Sequence, residues 1–97
     1  MLTIKNFENI RGKEFTSHGV EWKIVRVAEM RDIYEFTIRS ETHPQVRIGI
    51  DRNKVIDVEL RKPVYKVYKN YEFFDNYVTP DWIADIDNVL EMFKGLC

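Results

Sequence analysis

Three consecutive segments of this chain alternate apolar and polar residues in matching phase: Tyr34, Phe36, Ile38, then Val46, Ile48, Ile50, then Ile56, Val58, Leu60. Successive strand side chains point to opposite faces, so the pattern predicts one sheet with a three-by-three apolar face. Its reverse would carry Glu35, Thr37, Arg39, Arg47, Asp51, Asp57, Glu59 and Arg61. An apolar sheet face has to be covered. Near the C-terminus Trp82, Ile86, Val89, Leu90 and Phe93 recur at helical spacing and predict an amphipathic helix that supplies the cover. The expected fold is therefore α+β, a curved and mainly antiparallel meander sheet of five or six strands packed against one C-terminal helix.

Local signals place the connections. Phe15 and Trp22 are expected to face each other across a turn at His18-Gly19, where glycine tolerates positive φ. Trp22 and Ile24 lie on one side of the next strand and Val25 and Val27 on the other, which favours a bulge near Ile24 to Arg26 over a strand buried on both sides in a sheet curling toward a half-barrel. Arg31-Asp32 breaks the chain before the third strand, and Glu41-Thr42-His43-Pro44 closes the following hairpin. A turn at Arg52-Asn53-Lys54 would pair Ile50 with Ile56, Ile48 with Val58 and Arg47 with Glu59. Pro63 suits an edge or the start of a last strand over Val64 to Tyr68. Thr79-Pro80-Asp81 carries a helix start, with Lys94 in the last turn and Gly95 in the left-handed position after it. Met1 to Ile10 reads equally as an edge strand or a short helix.

Size and charge narrow the classes of function. Residues 1–97 have room for one domain with one two-layer core. Fifteen basic and sixteen acidic side chains leave a formal charge of −1, so no global field draws in nucleic acid or anionic lipid. The single cysteine, Cys97, allows no intrachain disulfide and no paired-cysteine zinc site. Lys5, Asn6, Glu8 and Asn9 interrupt the apolar residues at the N-terminus, which rules out a signal-peptide core there. No stretch approaches the roughly 18 apolar residues of a membrane span. The expectation is a cytoplasmic protein with no membrane association.

The densest anomaly is aromatic. Tyr65, Tyr68, Tyr71, Phe73, Phe74 and Tyr77 fall within thirteen residues, interleaved with Lys66, Lys69, Glu72 and Asp75. A loop so composed either plugs the open end of the sheet or presents rings to a partner, for which tyrosine is favoured by its large area and polar tip. Lysines among tyrosines also suit a single-stranded nucleic acid, but Glu72, Asp75, Asp81, Asp85 and Asp87 would repel phosphate. Catalysis has thinner support. His18 and His43 sit at turns without a carboxylate or cysteine at a diagnostic spacing. Asp87 and Glu91 share a helix face but lack a calcium-loop glycine or a partner histidine, and Gly12-Lys13 lacks the rest of a phosphate loop. No catalytic residue, metal ligand or cofactor is therefore expected. The reading is a small non-catalytic interaction domain that binds a protein partner, as an inhibitor, a regulatory subunit or a homodimer, through the aromatic segment and a sheet edge. A single-stranded nucleic-acid-binding module is the alternative, and a small enzyme or ligand-binding domain the second.

Overall fold

The computed structural model describes residues 10–77, 91, 93–95 and 97. Seven strands form an open, curled antiparallel sheet: β1 (Glu14–Ser17), β2 (Val20–Glu29), β3 (Ile33–Arg39), β4 (Val46–Asp51), β5 (Val55–Asp57), β6 (Lys62–Lys69) and β7 (Glu72–Tyr77). Residues 91 and 93–95 are helical. The expected Met1 to Ile10 element falls outside the described residues except for Ile10, which is fully buried, and so do the expected helix start at Thr79-Pro80-Asp81 and Trp82 to Leu90.

The first half follows the sequence pattern. Phe15 pairs with Trp22, and His18 and Gly19 take φ of 51° and 77°, the two left-handed positions of a tight hairpin turn. The register of β2 against β3 shifts between Ile24 and Arg26, which is the predicted bulge. It lets Ile24 oppose Ile38 and Val27 oppose Phe36, so that both β2 residues serve the same apolar face. Tyr34, Phe36 and Ile38 then stand beside Ile50, Ile48 and Val46, all of them buried.

The third row is not where the alternation puts it. Ile56, Val58 and Leu60 are 70%, 88% and 49% exposed, and β4 pairs with β6 rather than with the segment that follows it. Ile50 opposes Val67, and Ile48 opposes Lys69; the expected pairs Ile50 with Ile56, Ile48 with Val58 and Arg47 with Glu59 do not form. The chain does not reverse at Arg52-Asn53-Lys54 because Arg52 is held back toward the β2–β3 turn, its N–H donating to the Asp32 carbonyl at 3.0 Å. It runs on into β5, which takes up the β6 ladder at Val55 opposite Val64. Val58 to Arg61 is then a turn: Asp57 Oδ1 accepts from the Leu60 N–H at 2.8 Å and its carbonyl from the Arg61 N–H at 2.8 Å. Tyr65 and Val67 of β6 complete the core in place of that row.

The cover is at hand. Phe93 is fully buried, with its ring 5.1 Å from Phe36 in an edge-on contact and 6.4 Å from Phe15. Ser17 Oγ donates to the Lys94 carbonyl at 2.6 Å, pinning this helical turn to the first hairpin. Gly95 is not the left-handed stop expected of it: it is helical, without positive φ, and the Cys97 N–H reaches the Phe93 carbonyl at 2.9 Å.

Cys97 packs against the core, and burial pushes its thiol up to about 11 from 9.0, with Lys69 opposing only in part. Burial thus favours the protonated form. Its contribution to stability is complete below pH 9 and is lost as the pH rises through about 11. At pH 8 in native buffer, a thiol reagent is expected to label Cys97 far more slowly than in 8 M urea. Equal rates would show that the thiol is not packed.

Candidate functional site

The aromatic segment is a hairpin, not a loop. Lys69 pairs with Glu72, leaving Asn70 and Tyr71 as its two turn residues, with φ of 50° and 71°. Such a turn needs positive φ at both positions, and the first hairpin meets the second of them with Gly19. Here Tyr71 occupies it, a bulky side chain in a region that costs roughly 1–2 kcal/mol for an L-residue. Arg47 of β4 holds the turn. Its N–H donates to Asn70 Oδ1 at 3.0 Å, its carbonyl accepts from the Asn70 N–H at 2.7 Å, and its Nη1 donates to the Tyr71 hydroxyl. The guanidinium carbon also lies 5.8 Å from the Tyr71 ring centre.

The six aromatic residues separate by face. Tyr65 is 3% exposed and belongs to the core. Tyr68, three residues on and therefore on the opposite face of the strand, is half-buried on the outer face, its ring 6.3 Å from Phe73. Tyr71, Phe73 and Phe74 are 64%, 56% and 47% exposed. Phe74 is the extra residue of a second bulge, since Val67 pairs with Asp75 and Tyr68 with Phe73. Tyr77 ends β7, and its side chain falls outside the described ones. The hairpin thus brings Tyr68 against Phe73 and beside Tyr71, leaves Phe74 exposed at the bulge, and withdraws Tyr65.

Beneath the exposed rings the outer face is more enclosed than its charged sequence implies. Glu35 and Thr37 on the central strand β3 are 6% and 8% exposed. Glu35 lies 4.0 Å from Arg47 Nε. Asp51 and Tyr68 hydrogen-bond to each other. Burial raises the Asp51 carboxyl, while the Tyr68 hydroxyl and the Lys66 charge pull it back. Tyr68 is raised too, by burial and then by the Asp51 charge. A small concavity of about 150 Å³ opens here, lined by Ile33, Glu35, Arg47, Gly49, Tyr68 and Tyr71. Gly49 was the overlooked residue. A lone glycine inside an alternating strand signals a place where something else comes close to the backbone.

Other features are less convergent. A wide groove of about 740 Å³ between the first hairpin and the β3–β4 loop mixes Glu14, Glu21 and Glu41 with Lys23 and Arg39. Among the described residues His18 bonds only to Ser17, at 3.0 Å, and His43 to Thr42 at 2.8 Å beside the Trp22 ring. Glu91 is paired with Lys94 at 2.8 Å, and the other acidic helix positions fall outside the described residues. Among the described residues no three His, Cys, Asp or Glu side chains gather as metal ligands, and no helix is long and apolar enough to cross a membrane. Compared with models of known protein families, with curated proteins and with solved structures, the chain matches none of them.

Proposed function

We propose that this domain is a non-catalytic binding module, cytoplasmic in setting, whose β6–β7 hairpin seats Tyr71, Phe73 and Phe74 against a protein partner. One observation supports it above the others: Tyr71 stands at a left-handed turn position that glycine would fill without strain, and it is 64% exposed there. A residue kept against backbone preference and turned toward solvent is better accounted for by what it contacts outside the domain than by the fold. Phe73 and Phe74 of the same hairpin are exposed as well, and aromatic anchors of this kind carry most of the energy in many interfaces. The free edge of β7, which pairs only with β6 among the described residues, offers its main chain to an extended segment of the partner.

The test separates binding from folding. Tyr71→Gly removes the ring and relieves the left-handed strain, but loses the Arg47 contact and adds freedom to the unfolded chain. The expected result in urea is unchanged stability or a gain of up to about 1 kcal/mol. Association is expected to fall at least tenfold in Tyr71→Gly and in Phe74→Ser, read first by light scattering over a concentration series for self-association and then by titration of a copurified partner. A folded variant that associates as the parent does would overturn the reading. A stability loss well above 1 kcal/mol in Tyr71→Gly would show that Tyr71 is there to hold Arg47.

A further inference from the structure

β2 reaches further than the strand beside it. Ile24 gives its N–H to the Lys13 carbonyl at 2.9 Å, and its own carbonyl accepts from the Gly12 N–H at 2.7 Å, so the main chain of Ile24 faces the β1 side. Main-chain groups alternate in direction along a strand, which turns those of Lys23 and Glu21 toward β3. Lys23 is paired there with Arg39, the last pair of the β2–β3 ladder at this end. Glu21 lies beyond it. Among the described residues no main-chain group reaches the Glu21 N–H or carbonyl on that side.

β3 leaves the sheet at this point for a physical reason. The register continued past Lys23 and Arg39 would set Glu41 directly opposite Glu21, and like charges so placed repel. The chain turns instead: the Thr42 N–H donates to Ser40 Oγ at 3.2 Å, and Pro44 follows. The divergence leaves the groove of about 740 Å³, with β2 as one wall and Ser40 to Thr42 as the other.

Groove and edge together define what fits. Glu14, Glu21 and Glu41 stand against Lys23 and Arg39, so the groove favours neither an anion nor a cation. What it holds without a partner is a main-chain donor and a main-chain acceptor on one residue, in strand geometry. An unpaired strand edge is a template for another strand, and here a second wall stands ready to hold what pairs. We infer that this groove receives an extended segment of another protein, added to β2 beside Glu21. One residue of that segment exchanges both main-chain bonds with Glu21 and is polar, since it shares the charged face. Its two neighbours are apolar, because they fall beside Val20 and Trp22 on the other face. The groove shares no residue with the β6–β7 hairpin, and the inference stands apart from the reading given for that hairpin.

The test uses the intact, isotope-labelled chain and NMR. In the free protein the Glu21 amide is expected to exchange with solvent at least tenfold faster than the Lys23 amide. A capped pentapeptide, Thr-Val-Ser-Val-Thr, is then titrated in. It should give saturable shifts at Glu21 and at Ser40 to Thr42 in the millimolar range, and slow exchange at Glu21 at least fivefold. The same peptide N-methylated at its central serine lacks the donor for the Glu21 carbonyl and should bind at least fivefold more weakly. A tenfold rise in salt should change the affinity less than twofold, because no net charge is recognised. A Glu21 amide already protected in the free protein would show the edge to be occupied, and protection that grows with protein concentration would give it to a second copy; either overturns the inference. So would equal binding of the N-methylated peptide, a steep salt dependence, or shifts that do not saturate with the parent peptide.

Discussion

Phe93→Ala is expected to cost about 3–5 kcal/mol, a large share of the roughly 5–15 kcal/mol that stabilises a domain. The ring is fully buried, edge-on to Phe36 and tilted against Phe15, so it joins the helical turn to both the central strand and the first hairpin. Its removal leaves a cavity that the sheet cannot close by itself, because Phe36 and Phe15 are fixed on separate strands. The lost contact also frees the Ser17–Lys94 hydrogen bond to open. Urea denaturation followed by tryptophan fluorescence measures the loss, and Phe93→Leu should recover half of it or more. A loss below about 1 kcal/mol for the alanine variant would mean that the turn carrying Phe93 is not part of the cooperative core.

Arg52→Ala is expected to cost about 2–3 kcal/mol. Arg52 Nη1 donates to the Met30 carbonyl at 3.0 Å and to the Arg31 carbonyl at 3.3 Å, and Nη2 pairs with Glu29 at 2.8 Å. Its guanidinium carbon lies 5.4 Å from the ring centre of Tyr34, whose hydroxyl is raised chiefly by burial. One side chain therefore closes the β2–β3 turn and sets the direction in which β4 leaves the sheet. Arg52→Lys is expected to recover less than half of the loss, since a single ammonium cannot reproduce the planar fork. Full recovery by lysine would reduce the clamp to a simple charge effect.

The β4–β5 connection shows where reading the chain stops. Arg52-Asn53-Lys54 looks like a hairpin turn because apolar alternation resumes on both sides of it. Alternation over three residues is also compatible with a short outer strand and a turn that expose them, and Asp57 makes that turn by capping Leu60. The competing hydrogen bonds come from Met30, Arg31 and Asp32, some twenty residues away, which no local pattern reports. β7 is hidden for a related reason. Its turn has Tyr71 where the hairpin signal is glycine, and the bulge at Phe74 breaks the alternation with two consecutive phenylalanines. The aromatic cluster itself is plain in the sequence, as are Glu35 and Arg47 on the outer face, but the withdrawal of Tyr65 follows only once Tyr65 shares a face with Val67 against β4.

Local choices were legible from the residues alone: the inner faces of β1 to β4, the His18-Gly19 turn, the bulge after Ile24, the polar breaks and the presence of a cover at Phe93. Each depends on side-chain period or on one residue's backbone preference, both readable within a few positions. The packing of distant segments sets the rest: β6 displaces the Ile56 row beside β4, Tyr71 is held in a left-handed turn by Arg47, and Gly49 lies between Glu35 and Tyr68 on the neighbouring strands. Those outcomes depend on which distant strand wins a shared edge. That competition is settled by the summed hydrogen bonding and burial of the whole sheet, of which any one segment of sequence holds only a part.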